Sequence, residues 1–217
     1  MMKYLVAASA LALVPGSASA ASLLTNGGFE LPSVGDPCCN TVPPDPLPGW
    51  TVDSGNVNVV NGTFNGVPAG TNLAYEGLQY LDLVGQGGVG SISQTFSTIA
   101  GQTYQVSFAY SRNLFSGIDP ITGSFSVDGL SESLSHTGGS NSDLNWVTYA
   151  GSFVATGSSA TLSFQSGAGG VNEGLFLDAV SVSGAIPEPA TWAMLILGFG
   201  VIGGAMRVRS RKALALA

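Results

Sequence analysis

The sequence predicts an all-β domain, an antiparallel β-sandwich, with an N-terminal signal helix and a C-terminal transmembrane helix outside it. Three observations carry this expectation. Apolar and polar residues alternate with period two in several short segments. Clusters of Gly, Ser and Asn separate those segments. No stretch between residues 21 and 185 keeps a helical period.

In chain order, residues 1–20 have the form of a signal peptide. Lys3 supplies the positive end, Tyr4 to Val14 the apolar run, and Ala18-Ser19-Ala20 a small-residue cleavage site. The mature chain is expected to begin at Ala21. Residues 34–49 hold Pro37, Pro43, Pro44, Pro46 and Pro48, which excludes a central strand and predicts a loop crossing the end of the sandwich before Trp50. Strands are expected at 57–60, 79–84, 91–97 and 123–128, and near the end at 176–183. Clear alternation marks three more. Tyr104, Val106, Phe108 and Tyr110 share one face of 103–110, Val147, Tyr149 and Phe153 punctuate 146–155, and Leu162 and Phe164 punctuate 160–165. Gly85-Gln86-Gly87-Gly88 superficially suits a phosphate loop, but no helix follows it, so a hairpin turn is expected.

Residues 21–185 contain twelve acids and a single base, Arg112, for a net charge of −11. Nucleic-acid binding needs a basic surface to meet phosphates, so no nucleic-acid partner is expected. The two cysteines are the neighbours Cys38 and Cys39, whose bonding to each other closes almost no loop.

The last residues, 186–217, form a segment of their own. Pro187 and Pro189 keep Ile186-Pro187-Glu188-Pro189 extended and readable by a protease. Thr191 to Met206 carries no charge and is a short membrane span, and Arg207, Arg209, Arg211 and Lys212 mark a cytoplasmic flank. These properties alone also fit a plain C-terminal anchor. The run Pro187-Glu188-Pro189-Ala190-Thr191-Trp192-Ala193 resembles the PEP-CTERM sorting signal in its PEPxxWA variety, with the apolar helix and Arg-rich end in matching order. The sorting residues that match are Pro187, Glu188, Pro189, Trp192, Ala193, Arg207, Arg209 and Arg211. The resemblance implies an exosortase partner, an inner-membrane-held intermediate before processing, and delivery to the cell surface or to a biofilm or exopolysaccharide matrix.

Asp178 is in phase with Phe176, Val180 and Val182, which predicts a carboxylate on an apolar strand face. A buried carboxylate needs a partner, and one arginine cannot serve twelve acids. A structural Ca2+ with carboxylate and carbonyl ligands meets that need at Asp178. The alternative is that Asp178 is solvated or bonded to backbone amides. For sugar stacking, Trp50, Tyr75, Tyr80, Tyr110 and Trp146 are the candidate rings, with Asn72, Gln79 and Arg112 as polar neighbours. Most aromatics in a sandwich are core. The one histidine, His136, stands without a Gly-x-Ser-x-Gly elbow, so no Ser-His-Asp chemistry is expected.

A second resemblance rests on Asn26-Gly27-Gly28-Phe29-Glu30, Pro48-Gly49-Trp50, Tyr80-Leu81-Asp82-Leu83, Ile92 to Phe96, Tyr104 to Phe108, and Phe176 to Val182. Their order is similar to the galactose-binding-domain-like jelly roll, a group that includes many carbohydrate-binding modules. The resemblance implies a calcium joining first and last strands near Glu30 and Asp178. The expected function is non-catalytic association with extracellular polysaccharide by an exported, exosortase-processed surface protein. A small glycan-active hydrolase and a purely structural surface protein are the alternatives.

Overall fold

A computed structural model of the chain describes residues 21–184 and 196–200, apart from 36–38, 44–45, 64–65, 87, 116, 168–169 and 171–172. Signal residues 1–20 and all eight sorting residues lie outside the described residues. Of the expected span 191–206, residues 196–200 are helical. Among the described residues no helix is long and apolar enough to cross a membrane.

Residues 21–185 form one compact unit. Its strands are β1 (Cys39–Val42), β2 (Thr51–Ser54), β3 (Val57–Asn61), β4 (Gln79–Asp82), β5 (Val84–Gly85), β6 (Gly88–Val89) and β7 (Ser91–Ser97), followed by β8 (Thr103–Arg112), β9 (Ile121–Val127), β10 (Leu130–His136), β11 (Val147–Val154), β12 (Ser159–Ser166) and β13 (Leu175–Gly184). Among the described residues, a six-stranded sheet runs β1-β3-β4-β13-β8-β11 and a five-stranded sheet runs β10-β9-β12-β7-β2. Every pairing is antiparallel. The sandwich expected from alternation is therefore the fold, and β5 pairs β6 as a hairpin with Gly85 opposite Gly88.

Alternation places the core. Tyr104, Val106 and Phe108 of β8 face Phe125 of β9 and Phe164 of β12; Phe108 meets both rings edge-on at centroid distances of 4.9 Å. A second, smaller cluster of Val60, Leu73, Tyr80, Leu144 and Phe176 lies apart from this core. It forms because loops at 62–78 and 137–146 supply Leu73 and Leu144 to cover β4 and β13, which are therefore buried on both faces. All the strand pairings and both clusters belong to residues 21–185, so this unit carries what it needs to fold alone.

The structure corrects three expectations. The Pro-rich stretch 34–49 contains β1, an edge strand, which is where flanking prolines are tolerated. Strands β2 and β10 were not expected. In β10 only Leu134 and His136 are buried, and serines fill the other face, so the apolar signal is nearly absent. The third correction is in β13. The register against β8 shifts between Asp178 and Ser181, and Ala179 has φ 52°. This bulge inserts one residue and reverses the parity. Phe176 and Asp178 face outward, whereas Val180 and Val182 join the main core with Leu175 and Leu177.

Candidate functional site

The Asn26-Gly27-Gly28-Phe29-Glu30 segment is where the chain is tied together. Asn26 donates from Nδ2 to the carbonyls of Leu31 and Pro48, and its own carbonyl accepts the Trp50 indole N–H at 3.1 Å. Gly27 sits against the β13 bulge: its carbonyl accepts Val180 N–H at 2.9 Å, and a Cβ there would strike the Val180 carbonyl. Phe29 is fully buried, 5.6 Å from the Trp50 ring.

Glu30 and Asp178 converge on one turn. Asp178 Oδ2 accepts the N–H groups of Tyr75 at 2.9 Å and Glu76 at 3.1 Å, and Oδ1 accepts Ala179 N–H at 2.7 Å. Glu30 Oε1 accepts the N–H groups of Leu78 at 2.8 Å and Gln79 at 3.0 Å. Backbone amides thus supply the partners that Asp178 needs. Ca2+ takes six to eight oxygen ligands. The described residues contain no group of three or more His, Cys, Asp or Glu side chains able to hold a metal. Burial raises the Asp178 carboxyl to about 7, opposed by its three amide donors and assisted by the Glu76 charge. Asp82, two positions past Tyr80 on β4, is also raised to about 7 by burial, against N–H donors that include Val84 and Asn113.

The clamped turn carries an aromatic shelf. Tyr75 is 47% exposed and meets Trp146 edge-on at 6.2 Å. Trp146 is half-buried, donates its indole N–H to Leu73 O at 2.9 Å, and rests on Tyr80 at 5.8 Å. Asn72 and Glu76 are exposed beside it. The same loop encloses a surface cavity of about 400 Å3 lined by Thr63, Val67, Pro68, Thr71 and Asn72.

The other expected ring contacts are placed elsewhere. Trp50 is core, packed between Phe29 and Phe164. Tyr80 is fully buried under Trp146 and against Phe176 at 4.7 Å, so it offers no face for stacking; burial raises its hydroxyl far above the usual range. Tyr110 is half-buried between Phe108 and His136. Arg112 spends its donors inside the fold, on Gly138 O at 2.8 Å and Ile118 O at 3.0 Å, and pairs with Asp119 at 3.5 Å. His136 is buried, with Nε2 2.7 Å from Asn145 O.

Sequence reasoning did not single out a second surface. The outward positions of the five-stranded sheet are almost all hydroxyls. Thr51, Ser93, Ser163, Ser126 and Ser131 make one row across all five strands. Two shallow cavities, about 270 and 510 Å3, meet there and share Ser124 and Gln165. The signal was present in the sequence as serine at alternate positions of 131–135 and serine or threonine at alternate positions of 159–163.

Comparison with solved structures agrees with this architecture. The carbohydrate-binding module TmCBM61, solved in complex with β-1,4-galactotriose, is similar with a TM-score of 0.53 and 18% identity, covering 76% of this chain and 99% of that one. A family 16 carbohydrate-binding module follows at TM-score 0.44, 14% identity, and 74% and 98% coverage. The CBM22-1 xylan-binding domain of Paenibacillus barcinonensis Xyn10C follows at 0.39, 20%, and 64% and 86%. No curated protein matches the sequence. Residues 185–212 match the PEP-CTERM protein-sorting motif. Residues 22–183 match the family described as protein of unknown function, DUF642, and the chain belongs to that family.

Proposed function

We propose that this is an exported, exosortase-processed surface or matrix protein whose domain associates non-catalytically with extracellular polysaccharide through the Tyr75–Trp146 shelf. The carrying observation is the exposed Tyr75 ring held edge-on to Trp146 while Asp178 fixes its backbone. A sugar ring stacks on a flat aromatic face, and a rigid shelf loses little entropy on binding. Asn72 and Glu76 are exposed on the same turn; Asn72 is engaged with Gly77 O and Ala74 N–H, so the Glu76 carboxylate is the neighbouring group to meet hydroxyls. The carbohydrate-binding modules of similar fold support the class of ligand.

Affinity electrophoresis of residues 21–185 in neutral polysaccharides tests this. Tyr75→Ala is expected to weaken retention about tenfold, near 1.4 kcal/mol. A second reading places the glycan in the hydroxyl trough of the five-stranded sheet, favoured by the two cavities that meet at Ser124 and Gln165. Gln165→Ala then weakens binding and Tyr75→Ala does not. Wild-type protein that binds no polysaccharide, including that of its own host, sinks both readings. For sorting, mass spectrometry of the mature protein is expected to find residues 207–217 removed; an intact end leaves a plain membrane anchor.

A further inference from the structure

Each sheet of the sandwich has two edges, and three of the four edge strands carry a device that blocks pairing with another chain. β1 has four residues and runs into Pro43. β2 has four residues and a register shift between Val52 and Ser54. β10 carries the exposed charge of Glu132. Short strands, prolines, bulges and charges are the usual protections of a sheet edge.

β11 has none of them. Its eight residues, Val-Thr-Tyr-Ala-Gly-Ser-Phe-Val, contain no charge and no proline. They pair with Tyr110 to Thr103 of β8 in unbroken register, so the strand is straight and without a bulge. The composition is strongly β-forming. Its one weak point, Gly151, is covered on the core side by the Tyr149 ring, which Glu132 holds through the phenol at 2.9 Å. On the opposite side from β8 no strand pairs with it among the described residues, and β10 of the other sheet approaches it through the Glu132–Tyr149 bond. Val147 and Val154 at its ends are 40% and 54% exposed.

We propose that the β11 edge is a pairing surface for a second copy of this chain. A second β11, antiparallel about a two-fold axis that runs between the two strands at their midpoint, joins two six-stranded sheets into one. Such an edge is its own complement: the unpaired N–H and C=O groups of one copy meet those of the other, and paired residues share a face. A partner strand bearing charges gains nothing from this uncharged strand, whereas a second β11 brings none of its own; the nearest acid, Glu132, already accepts the Tyr149 phenol O–H. The twelve acids of the domain oppose association at a distance, and salt screens that repulsion. This inference does not depend on polysaccharide binding.

Sedimentation of residues 21–185 over about a hundredfold range of concentration tests it. A monomer–dimer equilibrium is expected, shifted toward dimer by added salt. Thr148→Lys with Ser152→Lys is expected to leave monomer only, because both positions are exposed on one face of the strand and like charges then crowd across the pair. Ser133→Lys, exposed on β10, is the control and is expected to leave the dimer intact. Hydrogen exchange of the unmodified protein gives a reading that no variant's folding affects: amides of 147–154 are expected to slow as concentration rises, and those of β2 are not. Wild-type protein that stays monomeric throughout overturns the proposal. So does a dimer that survives both lysines, or protection that rises away from β11.

Discussion

Glu30 and Asp178 hold the 75–79 turn by its amides, and this sets what a single substitution does. Glu30 needs only an acceptor oxygen for Leu78 and Gln79. Glu30→Gln retains that oxygen and is expected to melt within about a degree of the wild type, while Glu30→Ala orphans two N–H groups and costs roughly 1–3 kcal/mol. The same pair of variants decides whether Ca2+ belongs here. An ion that binds only the folded state raises the melting temperature, and a neutral amide is a poor substitute for a carboxylate ligand. The amide clamp predicts no change in melting temperature on adding a chelator. A fall of several degrees, abolished in Glu30→Gln, assigns the carboxylates to calcium instead. A similar residue-level logic separates the aromatics. Trp50 and Tyr80 lie in the core, Tyr110 is half-buried between Phe108 and His136, and Tyr75 is exposed beside the half-buried Trp146. Alternation gives the side of a strand on which a ring lies. It does not tell whether a loop covers that side, and residues 62–78 and 137–146 cover the outer face of β4 and β13.

At the scale of elements, strands with strong alternation were legible almost to their ends. Strand β7 matches its expected bounds, and β8 extends the expected 103–110 by two residues. The missed strands are β10, whose outward residues are serine, β1, which runs into Pro43, and β2, where Val52 is the single apolar residue, so their pattern reads as turn. The β13 bulge was hidden for a different reason: both parities of 175–182 are apolar, and only pairing with β8 shows where the extra residue enters. Gly27 is the sequence trace of that bulge, because the chain must lie directly on the Val180 carbonyl. Gly27→Ala is expected to lose roughly 1–3 kcal/mol, the usual cost of overpacking a fixed backbone contact. Gly35→Ala is the comparison. A Cβ at Gly35 meets nothing within 4 Å, so that change is expected to be neutral or slightly stabilising. Equal losses at both positions, measured by urea denaturation, would remove the close approach as the cause.

For the whole molecule the governing quantity is acid stored without base. Twelve acids share the domain with Arg112, and two of them, Asp82 and Asp178, are buried on the outer face of the six-stranded sheet. Burial raises both carboxyls from 3.8 to about 7. The folded state therefore binds protons more tightly than the unfolded chain between those values, and stability falls as pH rises through that window. Above about 7 the loss is complete, on the order of 4 kcal/mol for each group. Self-repulsion of the net charge of −11 acts in the same direction, and salt separates it from the buried term because screening reaches surface charges and hardly touches buried ones. Urea denaturation at high salt is thus expected to give greater stability at pH 5 than at pH 8. Asp82→Asn keeps an acceptor for Val84 N–H and carries no charge, so it is expected to remove about half of that difference. A stability that rises from pH 5 to pH 8 contradicts neutral buried acids and assigns them charged, with their amide donors or a cation outweighing the cost of burial.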